Sequence, residues 1–185
     1  KERLAFYNVK HRSIFSERVD SQLRVYPSGN LGAHVLGYVG VRDPGSAKIP
    51  MEGLEGKHGV EMMLDSVLEG VRGWRETETD RGRREVVAYR GYDIKSRDGM
   101  NVVLTIDANI QYIAERALEK ICAKHTPASA CVVVMNPNTG AIMALANRPT
   151  FNPNKPGDST ADNRRNRVVT DMYEPGSTFK IVAVS

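Results

Sequence analysis

The sequence has few cysteines, few aromatic residues and no long apolar run, and each shortage narrows what the chain can be. No run approaches the roughly 18 apolar residues that span a bilayer, and no signal peptide with a charged start and an apolar middle is present. The four histidines have no metal-ligand spacing, so we expect no metal site and no cofactor. Two cysteines, Cys122 and Cys131, leave the redox compartment open: we expect free buried thiols, with a disulfide as the alternative.

The charge balance is mildly basic and does not identify a partner. A net charge of +4 suits a phosphate-rich polymer, an anionic membrane face or an anionic wall polymer. Arginines cluster at residues 81–84 and 164–167, and we interpret both clusters as solvated turns or helix faces. No nucleic-acid motif accompanies them, and aromatic residues make up only 6% of the chain, too few for a base-stacking platform. We therefore expect no nucleic-acid partner.

The pattern of the first hundred residues is typical of a β-rich module. They are rich in glycine and are punctuated by turn sequences at residues 27–30, 42–45 and 80–82. Residues 74–79 and 85–92 flank the last of these turns and predict a solvated β-hairpin. One helix is predicted ahead of Gly70 by apolar residues at helical spacing, which we expect to pack in the core: Val60, Met63, Leu64, Val67 and Leu68.

After residue 98 the pattern becomes that of an α/β domain. Residues 102–106 predict a short strand, and Asp107 predicts the N-cap of a helix. Two buried strands follow at residues 130–135 and 141–146, joined by a turn at residues 136–140. We expect the helix to pack on these strands through its apolar face, formed by Ile110, Ile113, Ala114, Ala117, Leu118 and Ile121.

Ser177 and Lys180 form the pattern that indicates nucleophilic chemistry. Serine is a weak nucleophile that needs a nearby base or a positive field, and Ser-x-x-Lys supplies both if a helix begins at Gly176 or Ser177, because residues three apart then share a face. The exposed N–H groups at the helix start favour a developing oxyanion. Apolar neighbours, Phe179 and Val182 among them, are expected to dry the site and favour a neutral amine. Since Ser-x-x-Lys also occurs by chance, its weight depends on the surrounding residues.

The surrounding residues carry a specific resemblance. Residues 166–180, Asn-Arg-Val-Val-Thr-Asp-Met-Tyr-Glu-Pro-Gly-Ser-Thr-Phe-Lys, closely resemble the nucleophile region of class B penicillin-binding proteins. Within that family the pattern from Arg167 to Ser177 is more similar to the cell-division branch than to the cell-elongation branch. Further segments resemble the family's transpeptidase helix entry, hairpin and loop, at residues 105–111, 132–146 and 149–154, and its N-terminal pedestal, at residues 24–27, 34–40 and 53–56.

The resemblance implies an α+β chain with two parts. A β-rich pedestal module of the dimerisation type would occupy residues 1–97. Residues 98–185 would hold the first helix and strands of a serine β-lactamase/transpeptidase-like α/β domain, truncated just after Ser-x-x-Lys. The implied localisation is the periplasmic face of the bacterial inner membrane, with an N-terminal anchor absent from this chain.

The resemblance also implies an enzyme of cell-wall synthesis, a peptidoglycan D,D-transpeptidase acting in cell division. Ser177 would attack D-Ala-D-Ala stem peptides to form an acyl-enzyme, Lys180 would be the base or proton shuttle, and β-lactams would acylate the same serine. A glycan polymerase and membrane proteins of the division machinery would be its partners.

The departures from the family pattern leave alternatives open. The family also uses a Ser-x-Asn element and a Lys-Ser/Thr-Gly strand after the nucleophile, and neither lies beyond Ser177 in this sequence. We therefore expect the 185-residue chain by itself to be inactive. One alternative is a non-catalytic interaction module of the wall-synthesis machinery. Another is a serine β-lactamase or β-lactam sensor, which would not be expected to carry the module at residues 24–56.

Overall fold

A computed structural model describes residues 24–41, 54–71, 73–82 and 84–184. These residues form two compact units. The first contains residues 24–27 and the described part of 37–103, and the second contains residues 28–36 and 104–184. The domain boundary placed after residue 97 stays a prediction. The turn expected at residues 42–45 lies outside the described residues.

The first unit begins with a small antiparallel pair of strands and two short helices. Strand β1 (Val39–Val41) pairs with β2 (Leu54–Gly56). Gly37 enters β1 with a φ of 78°, and a Cβ atom there would lie 1.7 Å from the carbonyl oxygen of His58. Only glycine fits this close approach and this left-handed backbone.

The helix predicted between Val60 and Leu68 is broken in two. Helix α1 (Ala33–Leu36) belongs to the second unit. The two pieces here are α2 (Gly59–Met63) and α3 (Asp65–Leu68), which meet at Leu64. Asp65 accepts a hydrogen bond from the backbone N–H of Gly56 at 2.8 Å, which ties the start of α3 to β2. Met63 is 80% exposed, so its assignment to the core was wrong, and the other four apolar residues are half-buried. Helix α3 ends at Leu68 with Glu69 as its C-cap, ahead of Gly70.

A buried carboxylate, which the sequence analysis missed, organises this unit. Glu61 is 8% exposed, and its two oxygens pair with the Arg24 guanidinium at 2.8 and 2.9 Å. The Tyr26 hydroxyl donates to the same carboxylate at 3.2 Å. Burial and the neighbouring Glu61 charge raise the pKa of Tyr26, which therefore stays a hydrogen-bond donor. The pairing with Arg24 offsets the cost of burying the carboxylate.

The hairpin predicted around residues 80–82 is confirmed at its turn. Asp80 accepts hydrogen bonds from the backbone N–H groups of Gly82 and Arg84 at 2.7 and 2.9 Å, and a bridge between Thr79 and Glu85 closes the loop. Regular pairing joins β3 (Trp74–Arg75) to β4 (Asp93–Ile94). A 3-10 turn at Val87–Tyr89 interrupts the second predicted strand.

The second unit is built on one long helix and an antiparallel hairpin. Helix α4 (Ala108–His125) has the predicted N-cap: the Asp107 carboxylate accepts from the N–H groups of Asn109 and Ile110 at 2.8 and 3.0 Å. Strands β5 (Ala130–Met135) and β6 (Ile142–Arg148) pair antiparallel, as predicted, across a turn that ends at Gly140 with a φ of 73°. Helix α4 packs on both strands.

Strand β6 is buried and β5 is only half buried. Residues 144–147 of β6 are all buried, whereas alternate residues of β5 are exposed: Cys131, Val133 and Met135. The prediction of two buried strands is therefore wrong for β5. Both thiols are free; Cys122 is half-buried and Cys131 is exposed, so the expectation of buried thiols fails at Cys131.

The outer edge of β6 is covered by the residues that lead into α4. Residues 102–106 are not a strand, contrary to the prediction; instead the Thr105 hydroxyl donates to the carbonyl of Ile142 at 2.6 Å and the Asp107 N–H donates to Met143 at 2.9 Å. The Gln111 side chain continues this pattern, because its amide donates to the Leu145 carbonyl and accepts from the Leu145 N–H, both at 2.8 Å. Side chains thus take the place of a third strand at this edge.

The burial of Gln111 shows that the buried face of α4 was predicted wrongly. Gln111 is 1% exposed and shares the buried face with Ala114 and Leu118, whereas Ile113 and Ile121 are 66% and 51% exposed. The apolar periodicity therefore placed the centre of the face wrongly. A glutamine can occupy the core here because the backbone of β6 satisfies its amide.

A short segment from early in the chain completes this unit. Helix α1 (Ala33–Leu36), which the sequence analysis did not predict, packs against β6, and Ala33 is buried. The N–H of Gly32, just before it, donates to the Glu115 carboxylate at 2.8 Å. None of the helices in the described ranges is long and apolar enough to cross a bilayer.

Replacing Gln111 by alanine should destabilise the chain more than truncating an apolar residue of the same helix. The substitution leaves the N–H and C=O of Leu145 without their partners, which costs about 2 kcal/mol. Ile113→Ala, the matched control, removes an exposed side chain and should change the free energy of unfolding by roughly 0.5 kcal/mol or less. Urea denaturation of both variants measures the difference, and equal losses would contradict the role given to Gln111.

Candidate active site

Ser177 and Lys180 lie on consecutive helical turns at the end of the described chain. Residues Gly176–Phe179 form a 3-10 turn that runs directly into helix α7 (Lys180–Val184), so the predicted helical setting is confirmed. Residues three apart along a helix lie on the same side of it, so Ser177 and Lys180 share one side of these turns. Both side chains are exposed, and in the described part of the chain no hydrogen bond joins them.

Gly176 sets the direction in which the chain enters this turn. Its φ is 54°, in the left-handed region that glycine adopts without strain. A Cβ atom at Gly176 would meet no atom within 4 Å, so the requirement for glycine comes from the backbone alone. Together with Pro175, it makes a tight entry into the turn.

The apolar residues beside Ser177 do not exclude water from the site in this structure. Phe179 and Val182 are exposed. The predicted desolvation is therefore absent from the described residues, because no described element covers this face of the turn.

The segment that leads to Ser177 starts from a short, firmly held helix. Helix α6 (Arg167–Thr170) packs on β5 and β6 and ends at Asp171, whose N–H donates to the Arg167 carbonyl at 3.1 Å. Its N-cap residue, Asn166, does not cap the helix with its side chain. Its Oδ1 instead accepts from the amide of Asn147, a buried residue of β6, at 3.0 Å. Helix α6 is thereby fixed to the sheet at its first turn.

Four charged side chains surround α6, and we call them the Asp171 cluster: Asp162, Arg165, Arg167 and Asp171. Asp171 Oδ2 lies 3.1 Å from Arg165 Nη2 and 3.4 Å from Arg167 Nη1. Arg167 also hydrogen-bonds the Asp162 carboxylate and is only 14% exposed. Our interpretation of residues 164–167 as a solvated face is therefore wrong for Arg167. The short helix α5 (Ala161–Arg164) holds Asp162, and Arg164 bonds back to the carbonyls of Pro156 and Ser159.

A buried histidine supports the same region from the other side of α5. His34 Nε2 lies 2.9 Å from the Asn163 carbonyl, and the imidazole stands edge-on to the Phe151 ring at a centroid distance of 5.2 Å. A carbonyl can only accept, so Nε2 carries the proton. Burial lowers the pKa of His34 despite the Asn163 hydrogen bond and the Glu115 charge, which favour the charged form; Arg148 and Arg167 add to the lowering.

Sequence reasoning predicted Ser177 and Lys180 as the chemical residues, which stays a prediction, and missed the residues that hold the segment leading to them. The Arg167 and Asp171 pair had a readable signal, since opposite charges four residues apart meet on a helix. Asn147 and His34 had none, because their partners are 19 and 129 residues away along the chain. Within the described residues no group of acidic, histidine and cysteine side chains could hold a metal ion.

Lowering the pH should destabilise the chain through His34. Because the folded pKa is below that of an unfolded histidine, about 6.5, the contribution of the neutral ring is complete above that pH and is lost as the pH falls through the folded pKa. His34→Gln keeps a donor for the Asn163 carbonyl and removes the titration. Thermal midpoints at pH 7.5 and 5.5 should fall less in His34→Gln than in the unsubstituted chain.

The control for this measurement is His125→Gln, which replaces an exposed histidine at the end of α4. It should retain the full pH dependence. If His34→Gln lost as much stability between the two pH values as His125→Gln, the neutral buried state of His34 would be contradicted.

Known proteins match the chain over both units. A model of the penicillin-binding protein dimerisation domain matches residues 16–104, and a model of the penicillin-binding protein transpeptidase domain matches residues 130–185. A crystal structure of penicillin-binding protein 2X from Streptococcus thermophilus superposes with a TM-score of 0.56 at 25% identity, covering 80% of this chain and 20% of that one. Both matched families are those that the resemblance in the sequence named.

Three curated relatives share about a third of their aligned residues with this chain. It is 37% identical over 158 residues to the probable peptidoglycan D,D-transpeptidase PenA of Neisseria meningitidis, covering 85% of this chain and 25% of the relative. Identity to the peptidoglycan D,D-transpeptidase FtsI of Escherichia coli is 35% over 164 residues (87% and 25%). Identity to stage V sporulation protein D of Bacillus subtilis is 33% over 168 residues (90% and 24%). The chain spans about a quarter of the length of these relatives.

Proposed function

The chain belongs to the class B penicillin-binding proteins, and from this membership we propose that it carries the nucleophile of a peptidoglycan D,D-transpeptidase that acts in cell division. Ser177 is the nucleophile and Lys180 the base. The observation that supports the proposal is the three-residue spacing of Ser177 and Lys180 on consecutive helical turns, which the chain enters through the left-handed Gly176. The division branch is supported by the pattern of residues 167–177.

The proposed reaction has two steps. The Ser177 oxygen attacks the carbonyl carbon between the two D-alanines of a stem peptide while Lys180 takes the hydroxyl proton. An ester forms, the C–N bond breaks, and the terminal D-alanine leaves with that proton on its amine. In the second step an amine of a neighbouring stem attacks the ester carbonyl, a new amide forms, and the proton released by the amine returns to the Ser177 oxygen.

β-Lactams are proposed to react at the same serine. Their strained ring amide opens when the Ser177 oxygen attacks its carbonyl, which leaves an ester on Ser177 and the proton on the ring nitrogen. The N–H groups at the start of the helix favour the oxyanion that develops in either reaction. No leaving group departs from an opened ring, so the adduct can be detected by mass.

We further propose partners and a location that go with this activity. The substrates are D-Ala-D-Ala stem peptides, and the working protein acts at the extracytoplasmic face of the inner membrane together with a glycan polymerase and division proteins. The 185-residue chain is expected to be inactive by itself, because the family's Lys-Ser/Thr-Gly strand does not follow Ser177 in it. That strand contributes an oxyanion-hole N–H in the family, and one such donor is worth about a hundredfold or more in rate.

Mass spectrometry after incubation with benzylpenicillin tests the proposal. The 185-residue chain should take no adduct, and a version that continues past Ser185 to the length of the relatives should take one, mapped to the peptide containing Ser177. In the longer version Ser177→Ala should abolish the adduct, and Lys180→Ala should slow its formation by roughly a hundredfold or more.

The matched control is Ser129→Ala in the same longer version, which removes another exposed hydroxyl of the second unit and should change nothing. A folded longer version that takes no adduct, or that still takes one after Ser177→Ala, would contradict the assignment of the nucleophile. The non-catalytic interaction module would then be the better description.

A further inference from the structure

We propose that Asp171 is a positioning residue for the attack by Ser177, held by Arg165 and Arg167; this inference rests on the function proposed above. Asp171 touches neither Ser177 nor Lys180 in the structure. It fixes the point from which the chain runs to Ser177. The rate of acylation should therefore depend on its charge.

Asp171 is fixed by both its backbone and its side chain. Its N–H donates to the Arg167 carbonyl at 3.1 Å, which ends helix α6. Its carboxylate binds Arg165 Nη2 at 3.1 Å and Arg167 Nη1 at 3.4 Å, and its other oxygen accepts from the Thr170 hydroxyl at 2.9 Å. The Thr170 hydroxyl shares its single proton with the Asn166 carbonyl, also at 2.9 Å, so the backbone N–H and the two arginines are the main restraints on Asp171.

The Asp171 cluster balances its charges and is connected to the sheet. Two carboxylates face two guanidinium groups, and Arg167, the least exposed member, binds both Asp162 and Asp171. An isolated exposed ion pair contributes little, whereas a connected network of several charges restrains its members together. Through Asn166 and Asn147, α6 and this network are anchored to β6.

Between Asp171 and the proposed nucleophile the chain is irregular and exposed. Residues 171–175 form no helix or strand, and residues 172–176 are all exposed, with Met172 fully so. Gly176 then turns the chain at a φ of 54°. Asp171 is therefore the last residue before Ser177 whose position is fixed by an ion-pair network to the body of the unit.

The expected consequence is a loss of reaction rate rather than a loss of folding. A nucleophile must be held close to its attacking geometry, and a displacement of about 1 Å costs up to about a hundredfold in rate. The fold of the unit does not depend on Asp171 in the same way, since its core lies between α4 and β6. Neutralising the carboxylate should therefore widen the positions that Ser177 samples while leaving that core intact.

The test is the rate of benzylpenicillin acylation, per folded molecule, in the version that continues past Ser185. Asp171→Asn removes the charge at constant size and should slow acylation about tenfold, with a thermal midpoint close to that of the unsubstituted protein. Asp171→Glu keeps a carboxylate and should recover a large part of the rate. Asp158→Asn, which neutralises an exposed carboxylate of the Pro156–Asp158 turn, is the control and should leave the rate unchanged.

Coupling to the arginines distinguishes positioning from a general effect of charge. Arg167→Gln alone should slow acylation, and the double variant Arg167→Gln with Asp171→Asn should be no slower than Asp171→Asn, because the two residues act as one unit. Hydrogen exchange of residues 172–180 should be faster in Asp171→Asn, a readout that does not need the reaction. If Asp171→Asn does not fold, the acylation rates of Asp171→Glu and Arg165→Gln test the positioning role instead.

The possible outcomes distinguish the positioning role of Asp171 from the proposed function on which it rests. Normal acylation of Ser177 with an unchanged rate in Asp171→Asn would overturn the positioning role and leave the proposed function standing. A lower thermal midpoint with an unchanged rate per folded molecule would likewise reduce Asp171 to a structural residue. If the unsubstituted protein takes no adduct at Ser177, both proposals fail together.

Discussion

The pairing of the Gln111 side chain with the backbone of Leu145 is the interaction on which the second unit depends. A strand with one paired edge must satisfy its other edge by some means, and β6 does so through Gln111, Asp107 and Thr105. Helix α4 is thereby attached to β6 by polar contacts with fixed geometry as well as by packing. Once β6 is held on both sides, its far end can present Asn147 to the region that leads to the nucleophile.

Ser177 therefore receives its position from residues that are distant in sequence. The order runs from α4 to β6, from Asn147 to Asn166, through α6 to Asp171, and finally to the turn at Gly176. The links as far as Asp171 are hydrogen bonds, ion pairs and helix packing, and the last step to Gly176 is the covalent chain itself. In the proposed function a local sequence motif supplies the chemical groups, and the anchoring between distant segments supplies their placement.

Sequence reasoning succeeded where the controlling interaction is local. Asp107 caps the N–H groups two and three residues further on, and the turn ending at Gly140 joins adjacent strands, so both were predicted correctly. The α+β class is confirmed by the two family models and by the match to a solved structure. Gln111 was missed because periodicity ranks residues by polarity and cannot see that a backbone 34 residues away satisfies the amide. Strand β5 was judged by its apolar residues alone, although only one of its faces has a partner in the described chain.

The left-handed backbone at Gly176 also limits how this stretch can change during evolution. A single base change in a glycine codon yields alanine, valine, serine, cysteine, arginine, tryptophan, aspartate or glutamate. Of these, aspartate tolerates a positive φ best, since its short side chain can bond to the local backbone. Under the proposed function, aspartate would place a negative charge next to the Ser177 oxygen that has to attack. The open space around Gly176 therefore gives little freedom, and substitutions should accumulate at other positions.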